Sequence, residues 1–330
     1  MKDIKEVSDV NGNKENRDRA EHSEKIEKPS YLNHISVMKE EVLFLASEVK
    51  KTSPVIVDGT FGFGGHTFSF LDLFPEAKIF SCDQDQDAIN AGQARIKAAS
   101  VESKIKLFKT NFVDFPDLLK QQGIQQVDLI LLDIGVSSHQ FDSDDRGFSF
   151  RKDAPLDMRM DKSEEILPAS HYLNELSQEE LEDVIRVWGE DQFYKKIASG
   201  IIEERNKNPI LLTEQLENIC FHAYPKALRH KRIHPATKTF MALRILVNKE
   251  LEVLENCIPK YFDLLSKNGI LMIISFHSLE DRIVKHTFKN LCSKVALDAR
   301  IMTKRPIIPT DEEIERNSRS RSAKLRAIMK

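Results

Sequence analysis

The stretch Asp58-Gly59-Thr60-Phe61-Gly62-Phe63-Gly64-Gly65-His66 follows the apolar run Val55–Val57 and precedes a helical pattern. Glycines at such a junction let the backbone turn tightly and approach a ligand closely. Free N–H groups at the start of the following helix favour a carboxylate or another anion. Asp83 lies 18 residues after Gly65, at the end of the next apolar run. An acid there accepts hydrogen bonds from ribose hydroxyls. Asp133 closes a further apolar run. Strand, glycine turn, helix, strand and acid, in that order, describe a nucleoside site.

The spacing also speaks to which nucleoside. A dinucleotide fingerprint G-x-G-x-x-G/A starting at Gly62 needs Gly or Ala at position 67, where Thr67 stands. No G-x-x-x-x-G-K-[ST] segment occurs, which disfavours ATP. Asp133 adds an acid suited to an amino group and a sulfonium, so the residues favour S-adenosylmethionine over a nicotinamide dinucleotide. The alternative is that Asp58 and Asp133 only cap helices or turns. His277, in Ser275-Phe-His-Ser278, sits just past a later strand, where ligands bind in such sheets. It either positions a target base or satisfies local hydrogen bonds. His230 and His234 are four apart, but Pro235 interrupts the register and no third ligand is evident, so no metal site is expected.

These residues need a scaffold, and the apolar pattern supplies one. Val55–Val57, Ile79–Cys82, Ile105–Phe108 and Val127–Leu132 read as short buried strands separated by helical stretches such as Asp87–Ala99. Gly269–Phe276 reads as a fifth strand and Ala323–Met329 as an edge strand. The alternation predicts a parallel sheet with helices on both faces. About 130 residues separate strands four and five, far more than a crossover needs. Ser177-Gln-Glu-Glu180 matches a capping box ahead of Leu181, Val184, Ile185 and Trp188 at helical spacing. Leu216, Ile219, Cys220 and Ala223 form a second stripe. Pro235 is placed in the first turn of one long helix through Phe240, Leu243, Val247, Leu251 and Leu254. The expected organisation is a tail over 1–30, disordered for want of large apolar groups, a sheet domain over 31–139 and 236–330, and a helical subdomain inserted at 140–235.

Of the 330 residues, 41% are hydrophobic and 31% charged, which reads as globular. No apolar run approaches the ~20 residues that cross a bilayer, and the first residues lack the apolar core of a secretory signal. Cys82, Cys220, Cys257 and Cys292 are far apart, without a CxxC pair, which points to a reducing cytoplasm. Net charge is −3, but the seven Lys or Arg from Tyr224 to Lys249 come with no Asp or Glu. From Asp281 to Lys330 there are 13 basic and 6 acidic residues. Such stretches are either a phosphate-binding footprint or solvated helix faces.

Several longer segments resemble one family, the bacterial 16S rRNA (cytosine-N4)-methyltransferases. They include His34-Ile-Ser-Val37, Asp58–His66, Leu132-Asp-Ile-Gly-Val-Ser-Ser138, Arg146-Gly-Phe-Ser-Phe150 and Pro155-Leu-Asp-Met-Arg-Met-Asp161. His234-Pro-Ala-Thr237, Phe240–Asn248, Ile274–Arg282 and Ser318–Arg326 follow in order. The resemblance covers the chain from about His34 to its end. It implies a doubly wound, Rossmann-like class I methyltransferase sheet with a helical insertion. It also implies S-adenosylmethionine as methyl donor and a cytosine in the decoding region of 16S rRNA, within the small ribosomal subunit, as acceptor. Family cofactor contacts fall on Gly64, Gly65, His66, Asp83, Phe112, Asp133 and Gln140, with Phe112 suited to packing on the adenine. The chain departs from the family pattern at Ile134, His139, Lys238 and Met241, where leucine, proline, arginine and glutamine are usual.

Methyl transfer from a sulfonium is chiefly a matter of alignment. The cytosine amine is a poor nucleophile because its lone pair is delocalised, and an acceptor for its hydrogens would favour attack. Many amino-methyltransferases place Asp, Asn or Ser, then Pro-Pro and an aromatic, at the end of strand four. Here that position reads Asp133-Ile-Gly-Val. Asp133 is therefore the expected reaction-centre residue, with cofactor binding alone as its other role. Phe148 and Phe150 are the expected stacking platforms for an unpaired base, or else loop anchors. Arg146, Lys226, Arg229, Lys231, Arg232, Arg319 and Arg321 are the expected phosphate contacts. Three rival readings stay open: a DNA amino-methyltransferase, which the missing Pro-Pro-aromatic disfavours; a nicotinamide oxidoreductase, which Thr67 disfavours; and a non-catalytic RNA-binding assembly factor, which the intact glycine turn disfavours. The sequence does not fix the oligomeric state and leaves a homodimer open.

Overall fold

The computed structural model describes residues 35–135, 146–160, 166–295 and 298–330. The expected tail over 1–30, His139 and Gln140 lie outside the described residues.

Strands β1 (Val55–Asp58), β2 (Lys78–Asp83), β3 (Ile105–Lys109), β4 (Val127–Asp133) and β5 (Leu265–Ser275) are parallel neighbours in the order β3-β2-β1-β4-β5. The helices between them are α2 (Gly65–Leu73), α3 (Gln86–Ala98) and α4 (Phe115–Gln121), with α1 (Lys39–Ala46) ahead of β1. The five strands were legible because parallel strands covered on both faces carry near-continuous apolar runs. Successive side chains alternate between faces. Ile56, Ile79, Leu129 and Leu131 pack with Val42 of α1 and Phe70 of α2. Val57, Phe80, Ile130 and Leu132 pack on the opposite face with Phe115 and Leu119 of α4.

Ala323–Met329 does not form the sheet edge expected of it. Strand β7 (Lys324–Met329) lies antiparallel to β5, and the two-residue strand β6 (Arg300–Ile301) pairs on its other side. The burial of Leu325–Met329 is the physical reason, with Arg326 in that run paired to Asp281, since an edge strand seldom buries so long a run.

Between β4 and β5 come α5 (Ala169–Glu175), α6 (Gln178–Val187), α7 (Tyr194–Arg205) and α8 (Thr213–Ala223). Ser177 caps α6 in the anticipated box, its hydroxyl accepting from the Glu180 N–H while the Glu180 carboxylate accepts from the Ser177 N–H. These helices bury Leu173, Leu181, Ile185, Ile197 and Leu216 in one cluster.

The single long helix expected after Pro235 is two helices, α9 (Ala236–Asn248) and α10 (Glu250–Leu264), broken at Lys249, whose φ is 49°. Phe240, Leu243 and Val247 of α9 pack into the helical cluster, whereas Leu254, Ile258 and Phe262 of α10 cover the sheet. The break therefore redirects the chain from one core to the other. Across it, Arg244 donates through Nε and Nη2 to both carboxylate oxygens of Glu250, at 2.8 and 2.9 Å. The two side chains are only 17% and 10% exposed. Glu250→Gln leaves a buried guanidinium without its counter-charge and should lower the unfolding free energy by about 3 kcal/mol in a denaturant titration. Arg244→Met combined with Glu250→Leu should recover most of that loss.

Candidate functional site

The chain reverses its direction of winding between β1 and β4, and a crevice forms outside the carboxyl ends of the strands at such a switch. Asp58, Asp83 and Asp133 end β1, β2 and β4, so topology gathers them there.

Asp58 is buried and spends its oxygens on the turn it begins. Oδ1 accepts from the Thr60 N–H at 3.2 Å and Oδ2 from the Thr67 hydroxyl at 2.6 Å. The Thr60 hydroxyl oxygen accepts from the Asp133 N–H at 2.7 Å, which joins the ends of β1 and β4. Asp58 thus builds the turn, as the capping alternative foresaw. Burial raises its pKa, opposed by the Thr67 hydroxyl and the backbone N–H groups of Thr60 and Thr67.

The turn presents Gly64 at φ 76° as the residue capping α2. A β-carbon on Gly64 would stand 2.6 Å from the Phe61 ring, and one on Gly65 would collide with the Ser36 hydroxyl. The two glycines are therefore demanded by crowding behind the turn. Asp83 accepts from the Gly62 N–H at 2.8 Å through Oδ2 and from the Asp85 N–H at 2.9 Å through Oδ1. Burial raises its pKa to about 6 against those hydrogen bonds. Phe112 follows β3, packs partly buried against the sheet core, and its carbonyl accepts from the Tyr261 hydroxyl at 2.6 Å. Asn111, beside it, donates to the Gln84 side chain at 2.9 Å, so the Phe112 loop adjoins the Asp83 loop.

Asp133 faces the turn. Its Oδ2 lies 3.9 Å from Nε2 of the buried His66. Among the described residues its Oδ1 is buried without a hydrogen-bond partner. Burial first, then the negative charges of Asp58 and Glu280, raise its pKa to about 7. An acceptor held dry beside a glycine turn suits a ligand that brings positive charge or N–H groups. S-adenosylmethionine has both, and Gly64, Gly65, His66, Asp83 and Phe112 form the rest of a cradle that fits it.

His277 caps α11 (Ser278–Asn290). Its Nδ1 accepts from the Glu280 N–H at 3.4 Å, and its Nε2 lies 3.1 Å from Glu280 Oε1. Glu280 Oε2 accepts in turn from the N–H groups of Phe276 and His277, at 2.8 and 3.2 Å. The local contact accounts for Nδ1 alone: Nε2 is buried without a hydrogen-bond partner among the described residues.

The expected RNA residues divide. Phe148 is 6% exposed inside the helical cluster and offers no stacking face. Phe150 is stacked on His234, with centroids 4.7 Å apart, and meets the edge of Phe240. Phe148 thus anchors its loop to the helical cluster, whereas Phe150 is only partly buried against it. Arg146 donates through Nη2 to the carbonyls of Arg159 and Met160, at 3.0 and 2.9 Å, and so clamps its own loop. Arg229 is half-buried and donates to the carbonyls of Tyr224 and His222. Lys226, Lys231, Arg232, Arg319 and Arg321 are exposed. The turn holding Arg319 and Arg321 adjoins the start of the described chain, where the Asn317 side chain donates to the Ile35 carbonyl.

Sequence reading missed Ser36, Thr60, Glu280 and the Arg244–Glu250 pair as parts of the site or its support. All but Glu250 lie inside motif segments already singled out, but nothing in their type or spacing disclosed what each would touch.

Comparison with known proteins agrees with this geometry. The chain is 43% identical to ribosomal RNA small subunit methyltransferase H of Sulfurihydrogenibium azorense, covering 89% of this chain and 98% of that protein. It is 42% identical to the protein of the same name from Trichlorobacter lovleyi, over 90% of this chain and 98% of that one. For the Clostridium botulinum protein of that name the identity is 44%, with the same two shares of 90% and 98%. Residues 31–330 match the model of the MraW methylase family, and with its glycine turn and strand-end acids in place the chain belongs to that family and is a methyltransferase.

Proposed function

We propose that this enzyme transfers the methyl group of S-adenosylmethionine to the N4 amine of one cytosine in small-subunit ribosomal RNA. The observation that carries the reading is Asp133, a partly buried carboxylate with one buried oxygen unpartnered among the described residues, at the end of β4 beside His66 and the glycine turn. The names of the relatives support ribosomal RNA as the acceptor. A ribosomal substrate places the reaction in the cytoplasm, and among the described residues no helix is long and apolar enough to cross a membrane.

S-adenosylmethionine supplies an activated methyl group that needs no acid to free its leaving group. The chain's own residues align and polarise. Gly64 and Gly65 would bring backbone to the cofactor, and Asp83 would accept from the ribose. Asp133, ionised, would accept a hydrogen bond from the cytosine amine, make its lone pair more available, and take the amine proton as the N–CH3 bond forms and the methyl–sulfur bond breaks. His66 borders the same carboxylate. We assign the segment 140–235, together with α9, to RNA recognition, with Lys226, Lys231 and Arg232 meeting phosphate. Arg319 and Arg321 do so from the C-terminal turn.

The direct test is methyl transfer from labelled S-adenosylmethionine to small subunits lacking the modification, followed by nucleoside analysis. N4-methylcytosine at one site is the expected product. No transfer to subunits or to naked RNA, with the cofactor bound, would overturn the reading. Asp133→Asn should lower kcat on the order of a hundredfold while changing cofactor affinity far less; loss of affinity alone would restrict Asp133 to cofactor binding.

The raised pKa gives a sign to the pH dependence. Only the ionised carboxylate can take the amine proton, so kcat/KM should rise with pH through a midpoint near 7, and this limb should vanish in Asp133→Asn. Stability runs the other way. Asp83 and Asp133 keep protons in the folded state that the unfolded chain releases near pH ~4. Their contribution is full below that range and is lost as pH rises through about 6 and about 7. The cofactor-free protein should melt higher at about pH 5.5 than at about pH 8, by a margin that shrinks in Asp133→Asn.

Binding to RNA should weaken steeply with salt. Replacing Lys226, Lys231 and Arg232 together by alanine should reduce the slope of log affinity against log salt by about 2. An unchanged slope would remove these three as phosphate contacts.

A further inference from the structure

The chain lacks the aromatic residue that many amino-methyltransferases carry after the acid of strand four; Phe148 is buried in the helical cluster, and His234 stacks on the Phe150 ring. The register of β4 against β5 supplies another aromatic at that place. Asp133 is paired with Ile274, and the Ile134 N–H donates to the Ile274 carbonyl at 2.9 Å. Two residues further along each strand come Gly135 and Phe276. A β-carbon on Gly135 would stand 3.0 and 3.1 Å from two carbons of the Phe276 ring. The ring therefore lies against the backbone leaving Asp133, where a β-carbon would crowd it. Phe276 is partly buried at the rim of the sheet core, so part of its ring remains accessible. Its backbone N–H donates to Glu280 Oε2 at 2.8 Å, and Glu280 is itself 2% exposed. A buried carboxylate thus fixes the ring's backbone directly after β5.

From this juxtaposition we propose that the ring of Phe276 is the surface on which the acceptor cytosine stacks, taking the place of the aromatic absent from Asp133-Ile-Gly-Val. The inference rests on the cytosine-methylating reading above. A planar platform beside Asp133 restrains the base in the plane that brings its amine to the carboxylate. Stacking tolerates any base, so the ring supplies placement, and Asp133 supplies the discrimination for an amine.

The test compares Phe276→Leu with Phe276→Trp in the full chain, on small subunits lacking the modification. Leucine keeps apolar bulk but has no π face; tryptophan keeps one. The expected result is that kcat/KM for the subunit falls on the order of tenfold or more in Phe276→Leu, with cofactor affinity and melting temperature held, and that Phe276→Trp recovers most of it. Gly135→Ala, which pushes on the ring, should cost activity in the parent chain and far less in the Phe276→Leu background. If leucine performs like phenylalanine, or if activity falls only in step with cofactor affinity or melting temperature, the ring is packing and the proposal is overturned. Failure of the parent chain itself to form N4-methylcytosine, with cofactor bound, would instead remove the underlying functional reading.

Discussion

Asp58 accepts hydrogen bonds from the Thr60 N–H and the Thr67 hydroxyl where β1 gives way to the glycine turn. Both donors belong to the element that the acid introduces, so the carboxylate ties the turn and the first helical turn of α2 to the strand end. The Thr60 hydroxyl then takes the Asp133 N–H, which extends the same linkage to β4. Remove the first carboxylate and the glycine turn, the helix start and the neighbouring strand end lose their common anchor. A buried polar group with all its partners supplied rigidifies its surroundings in this way.

The cost of the arrangement is electrostatic. Asp58, Asp83 and Asp133 sit at neighbouring strand ends with little solvent to screen them, and burial raises the pKa of each. The first two are compensated by backbone and hydroxyl donors. Asp133 keeps one oxygen without such a partner among the described residues, and that frustration is local to the place where a cationic ligand would relieve it. Glu280 adds to the repulsion, but its own carboxylate is fixed by the Phe276 and His277 N–H groups. Glu250, His277 and Glu280 bring polar atoms within 4.8 Å of one another, and Arg244 supplies the balancing charge through Glu250.

The helical cluster and the sheet meet through a few polar ties as well as through the chain break at Lys249. Glu190 accepts from the Ser278 hydroxyl and from Arg282 at the start of α11, while its carbonyl accepts from Lys238. Lys238 is one of the departures from the family pattern that the sequence resembles, which has arginine there. A single ammonium suffices for a carbonyl, whereas a two-pronged grip on phosphate would not survive the change. The substitution is thus compatible with a tie inside the protein and argues against Lys238 as a phosphate ligand.

What the sequence determined by itself is the part written in local periodicity and spacing. The parallel strands announced themselves as doubly buried apolar runs, the Ser177 cap by its box, and the turn into α2 by its glycines, because each depends on near neighbours in the chain. The tertiary structure decided what distant segments do to one another. Lys249 breaks a helix whose apolar stripe ran on unbroken, since its two halves serve different cores. Strand β7 enters between β5 and β6 because its burial is set by pairing partners more than 20 residues away. Phe148 looked like a platform beside Arg146, yet it is buried in the helical cluster. Phe276 meets Gly135 only through the β4–β5 register, a contact between residues 141 positions apart that no local pattern encodes.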